Sequence, residues 1–130
     1  MATLNDVRRL AMALPEVAEH PSYDGQASWT VKGKGFVWER PLRKSDLAEL
    51  GDDAPSGPIL GVRTEDLEMK DAMLASEPGI FFTTSHFDGY PSVLVRLNKI
   101  GLKLLKQVIV DAWLTRAPKR LANEFLKDRV

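Results

Sequence analysis

Two pairs of strand-like segments, each closed by a connection too short to hold a crossover helix, constrain this chain more than any other feature. Ser28-Trp29-Thr30-Val31-Lys32 alternates polar and apolar residues, and Gly33-Lys34-Gly35 turns the chain. Phe36 and Trp38 then alternate with Val37 and Glu39 on the return. A period of two marks a half-buried strand, and a short glycine-containing link between two such runs closes a β-hairpin. Ile80–Thr84 and Ser92–Leu97 repeat the arrangement across Ser85-His86-Phe87-Asp88-Gly89-Tyr90-Pro91, and Ile59–Arg63 adds one short apolar strand. Strands joined this closely pair antiparallel.

Helical periodicity lies outside these segments. Leu4, Val7, Leu10, Ala11 and Leu14 recur at helical spacing behind Thr3 and Asp6, the two ends of a capping box, and Pro15 stops that helix. Thr64 is expected to cap a middle helix with Glu65 and Asp66 in its first turn and Leu67, Met69, Ala72, Met73 and Leu74 as its apolar surface. Leu102, Leu105, Val108, Ile109, Ala112 and Trp113 form the widest apolar stripe. Pro118 stands at the expected N1 position of a last helix packed through Leu121, Ala122, Phe125 and Leu126. Residues 15–27 read as a loop, and residues 41–58 as a loop with one helical turn near Ser45–Leu50. The expected class is α+β, with an antiparallel sheet of two hairpins plus one short strand. Around it stand N-terminal, middle and two C-terminal helices, in one domain over residues 1–130.

Composition narrows the chemistry. The 130 residues contain no cysteine, which excludes disulfides, thiolate metal sites and cysteine nucleophiles. The opening Met1–Asp6 shows no basic or continuous apolar region and no other stretch reaches membrane length, so neither a secretory leader nor a membrane partner is expected and the cytoplasm is the default compartment. Eighteen basic residues balance eighteen acidic ones. The balance conceals a polarity: residues 98–130 hold eight lysines and arginines against three acids, a net of +5, leaving −5 on residues 1–97. This is either two ordinary solvated faces or a basic C-terminal patch that meets phosphates.

Catalytic and metal-binding patterns are absent from the sequence. His20 and His86 belong to no paired-histidine motif, so no metal or other cofactor is expected. Ser85, His86 and Asp88 supply the residue types of a hydrolytic triad without a strand–turn–helix elbow, so no catalytic residue is assigned and the chain reads as a non-enzyme. His86 remains notable because it shares a hairpin loop with Phe87 and Tyr90. It either packs on its neighbours or touches a ligand with Tyr90. Arg96, mid-strand, either forms an ion pair, with Glu39 a candidate, or meets an anionic partner. Trp29, Trp38 and Trp113 are core residues in the plainer reading, although the hairpin tryptophans also have the means to stack bases.

The run from Phe81 through Pro91, followed by Val93-Leu94-Val95-Arg96-Leu97, resembles the MmcQ/YjbR family. Asp111-Ala112-Trp113 through Ala117-Pro118-Lys119-Arg120, and the opening helix that ends at Leu14-Pro15-Glu16, are similar to that family's C-terminal and N-terminal segments. The resemblance implies a CyaY-like α+β fold with a double-wing arrangement and a DNA-binding role, the wings being the hairpins at 28–39 and 80–97. It brings no catalytic residues. On that expectation Lys32, Lys34, Arg40, Arg96, Lys119 and Arg120 would contact phosphates, with Lys34 at a hairpin tip. The rival expectation is a protein-interaction or small-ligand module built on the His86–Tyr90 loop. A contiguous basic face would favour DNA, and a concave aromatic pocket beside His86 would favour a ligand.

Overall fold

The computed structural model describes residues 2–21 and 26–128; residues 22–25 of the expected 15–27 loop lie outside the described residues. Five helices accompany six strands among them: α1 (Leu4–Met12), β1 (Val17–Pro21), β2 (Ala27–Val31), β3 (Lys34–Glu39), α2 (Lys44–Leu50), β4 (Ile59–Arg63), α3 (Leu67–Ser76), β5 (Phe81–Phe82), β6 (Ser92–Arg96), α4 (Leu102–Arg116) and α5 (Lys119–Asp128). The strands form one antiparallel sheet in the order β1-β2-β3-β4-β6-β5. The architecture is α+β, as the hairpins require.

Period-two alternation gives the sheet two different faces. Leu60 and Val62 of β4 and Val93 and Val95 of β6 point into the main core with Val31 and Val37. Leu105, Val108, Ile109 and Trp113 of α4 and Val7 and Ala11 of α1 cover them. The capping box predicted for α1 forms: the Asp6 amide donates to Thr3 Oγ1 at 3.2 Å, and the Thr3 amide donates to Asp6 Oδ2 at 2.9 Å. Ile59, Phe82, Phe87 and Leu94 form a smaller cluster, joined by Trp38 and by Leu42 and Leu50 at the two ends of the α2 segment.

The structure departs from the sequence expectation at several points. The turn of the first hairpin is Lys32-Gly33, not Gly33-Lys34-Gly35. Both residues have positive φ (51° and 80°), as a two-residue type I′ turn requires, and Lys34 already pairs with Val31. Trp29 pairs with Val37 and Thr30 with Gly35, so the irregularity leaves Phe36 without a partner. Such a bulge lets Phe36 and Val37 both be fully buried, where strict alternation would bury one of them. Val17–Pro21 was expected as loop yet forms an edge strand. It is tied down by Glu19, which accepts from Trp29 Nε1 at 2.9 Å and Arg8 Nε at 2.7 Å. Thr64 donates to the Asp66 carbonyl, and Asp66 is the residue that caps α3, accepting from the Met69 amide at 2.8 Å. The strand expected over Ile80–Thr84 shortens to Phe81–Phe82.

Candidate functional site

The register of the sheet sets Trp38, Gly61, Leu94 and Phe82 in one row across β3, β4, β6 and β5, on the face away from α4. A Cβ on Gly61 would come 2.2 Å from Trp38 Cε2, so only glycine lets the indole pass directly over β4. Two positions further along β4 on that face is Arg63, whose cross-strand partner Ser92 has a buried hydroxyl with no hydrogen-bond partner among the described residues. Above the row the 85–90 segment closes a cleft of about 500 Å³. Gly35, Trp38, Arg63, His86, Phe87, Tyr90 and Arg116 line it.

That segment is pinned from three directions. Glu49 of α2 accepts from the Ser85 amide at 3.0 Å and from its hydroxyl at 2.6 Å. Lys70 of α3 is buried and donates from Nζ to the carbonyls of Phe87 at 2.6 Å and Tyr90 at 2.8 Å. Phe87 is itself sunk into the smaller core, and Gly89 turns the chain with φ 73°. Burial draws the Lys70 ammonium below its ordinary value, with Asp88 and Asp71 partly offsetting the effect. Held in this way, the loop places His86 edge-on to Phe87 at 4.9 Å and leaves Tyr90 half exposed beneath the Arg63 guanidinium at 5.6 Å. Arg116, in the last turn of α4, brings a second guanidinium to the cleft. Its Nε is buried with no hydrogen-bond partner among the described residues.

Of the residues singled out in the sequence, His86 and Tyr90 come together at this cleft. Arg40 does not serve as a phosphate contact: it is buried, its Nη2 lies 3.0 Å from Asp46 Oδ2, it also donates to the Pro41 carbonyl, and it faces the Phe87 ring. Burial alone would push the Asp46 carboxyl up, but the Arg43 amide and the Arg40 charge more than offset that and hold it below its ordinary value. Lys32 pairs with Glu16 at 2.5 Å. Arg96 makes no ion pair with Glu39; it lies over Phe82 at 4.3 Å and donates to the Pro78 carbonyl. Lys34, Lys119 and Arg120 are exposed. Trp38, which the sequence left between core and base stacking, also lines the cleft, whereas Arg63, Lys70 and Arg116 escaped the sequence reading as site residues. Of these three only Lys70 carried a signal, a lysine three residues before Met73 and four before Leu74 on an otherwise apolar helix face.

A larger groove of about 690 Å³ runs between α3 and α4 and is walled mainly by Met69, Met73, Phe81, Leu104, Val108 and Leu114. It exceeds the cleft in size and shares Arg63 with it, but Glu65, Glu77 and Asp111 also line it, whereas the cleft combines two arginines with no acid. Among the described residues no three His, Asp or Glu side chains gather as a metal-ligand set. No helix among them is long and apolar enough to cross a membrane.

A family model described as YjbR matches residues 12–115. Over 129 residues the chain is 50% identical to Uncharacterized protein Rv2570 of Mycobacterium tuberculosis, covering 97% of each chain. Uncharacterized protein Mb2600 of Mycobacterium bovis matches to the same extent. The crystal structure of Deinococcus radiodurans protein DR2400, which holds a domain of the family model DUF419, is similar in fold with a TM-score of 0.68. It is 18% identical, over 95% of this chain and 88% of that one.

Proposed function

The chain belongs to the YjbR family, and from that premise we propose that it is a non-enzymatic module that binds a small anionic ligand in the cleft beside His86. The observation that carries this reading is the convergence of Arg63 and Arg116 on one aromatic-walled cavity, neither with a carboxylate partner among the described residues. Cations gathered without counter-ions repel one another, and an anion seated between the two guanidinium groups would relieve that repulsion. No acidic side chain lines the cleft among the described residues. A binding role is supported over hydrolysis because Ser85 does not line the cleft and its hydroxyl is directed to Glu49, not to His86. Calorimetry with inorganic phosphate and pyrophosphate tests the proposal. Binding is expected in the wild type, weakened at least tenfold in Arg63→Ala and in Arg116→Ala while the fold is kept. Heats no larger than those of matched chloride would overturn it.

One observation favours a second reading, duplex DNA bound at the outer surface. Lys119 and Arg120 open α5, where the helix macrodipole disfavours cations, and both are exposed. Phosphates would relieve that repulsion, with Lys34 as a third contact. Three contacts imply a log–log salt slope of about −2.7 and indifference to sequence. Alanine at Lys34, Lys119 and Arg120 together should flatten the slope; a slope unchanged by that substitution removes the DNA reading.

A further inference from the structure

We infer that the cleft is a nucleotide site, in which a flat heterocycle stacks on Trp38 while Arg63 and Arg116 hold its phosphate. The inference rests on the anion-binding reading and adds the chemistry of the rest of the ligand. Three tryptophans are present, and two are explained by folding. Trp29 and Trp113 are 1% and 0% exposed, and their indole N–H groups donate to Glu19 and to the Pro15 carbonyl. Trp38 differs: it is only partly buried, it crosses Gly61 on the inner side, and it lines the cleft on the other. An aromatic surface backed by glycine in the middle of a sheet is a rigid platform, and its loss of freedom was settled on folding rather than on binding.

Around that platform the remaining groups match the parts of a nucleotide. Tyr90, 52% exposed, offers a second ring at the opening of the cleft. Guanidinium groups grip phosphate oxygens in pairs, which an ammonium cannot do, and both cations of the cleft are arginines. A cavity of about 500 Å³ suits one nucleotide-sized molecule and excludes a duplex. Every base presents a π-face, so stacking specifies the class without choosing the base. The same chemistry is offered by a free mononucleotide and by one nucleotide of a single strand.

Adenosine monophosphate, ribose 5-phosphate and adenosine separate the parts. The monophosphate should bind roughly tenfold or more tighter than ribose 5-phosphate, within the range that one stacked base contributes. It should also quench intrinsic tryptophan emission, which ribose 5-phosphate should leave unchanged. Because Trp29 and Trp113 are enclosed, the quenching should vanish in Trp38→Phe, and Trp38→Leu should bring the two phosphates to equal affinity. The wild-type comparison needs no variant, so a poorly folding Trp38→Leu leaves the test intact. Equal affinity of the two phosphates in the wild type overturns the nucleotide inference and leaves the anion reading standing; absence of binding by either overturns both. Oligodeoxythymidylate of six residues then identifies the source. Binding well above that of thymidine monophosphate, and steeply dependent on salt, supports a single strand; parity supports a free nucleotide.

Discussion

On the face covered by α1 and α4, valines and leucines of the central strands meet Val7, Leu105, Ile109 and Trp113, and the buried indoles bond to the chain itself. On the opposite face the same strands present Trp38, Gly61, Arg63, Ser92, Leu94 and Arg96, half covered by α2 and the 85–90 loop. Stability comes from the first face, where burial is apolar and complete. The second is held by polar supports, the Arg40–Asp46 pair, Glu49 on Ser85 and Lys70 on the loop carbonyls, which position side chains without filling space. Such supports specify geometry at a small or even negative net stabilisation. That contrast separates the part of the molecule that folds it from the part that the proposed ligand would use.

The contrast is broken most directly by removing the largest side chain of the apolar face. Trp113→Ala should cost about 3–5 kcal/mol, from lost burial and the cavity left behind. Urea unfolding followed by far-UV circular dichroism measures it. A loss below about 1 kcal/mol would mean that α4 is not the main source of stability. Arg40→Met comes next, at about 3 kcal/mol, because it leaves the Asp46 carboxylate buried without its cation. Replacing both, Arg40→Met with Asp46→Leu, should restore stability to within about 1 kcal/mol of wild type, the residue being the lost cap on the Arg43 amide. If the double variant is as unstable as the single one, the pair contributes more than mutual neutralisation.

The same contrast decides what was legible in the sequence. The apolar face was readable: Leu105, Val108, Ile109 and Trp113 announce α4, and the hairpins announce the sheet, because burial against one layer imposes a period; Leu102, expected in the same stripe, is exposed. The cleft face carries no period. Arg40 and Arg96 look alike as strand-associated cations, yet one is enclosed by Asp46 and the other lies on Phe82; these partners are set by tertiary packing, 6 and 14 residues away in the chain. His86 and Tyr90 could be found because a loop on a rigid scaffold displays its residues. Arg116 could not, since a basic residue in the last turn of a helix is ordinary and nothing local says which way it reaches. β1 was missed because Glu19 and the edge of β2 hold it, not its own alternation.

Gly61→Ala sharpens the comparison at smaller cost. The added Cβ meets the indole at 2.2 Å, so Trp38 must move, at about 1–3 kcal/mol for an overpacked site. Main-core packing should survive, whereas ring-dependent quenching by a nucleotide should be lost. A variant that keeps that quenching would show that the indole's seat on Gly61 is not what orients it.

The smallest effect concerns pH, and it follows from where the buried ionisable groups lie. Arg40, Asp46 and Lys70 all belong to the supports of the cleft, so that face should respond to protons at both ends of the scale. The Asp46 carboxyl titrates below 3.8 in the folded chain, so between that lower value and 3.8 the unfolded chain binds more protons. Its contribution is therefore complete above 3.8 and is lost as pH falls through the folded value. Lys70 acts in the other sense. Its folded value lies below 10.5, so between the two the unfolded chain again holds the extra proton, and stability from this group rises with pH across that interval. Urea midpoints for the wild type, Asp46→Asn and Lys70→Met test both signs. Asp46→Asn should flatten the acid slope and Lys70→Met the alkaline rise, while Trp113→Phe, altered on the other face, should move neither. An acid slope that survives in Asp46→Asn would assign it to Asp6, whose carboxyl is also held low, first by the Thr3 amide, but at the exposed start of α1.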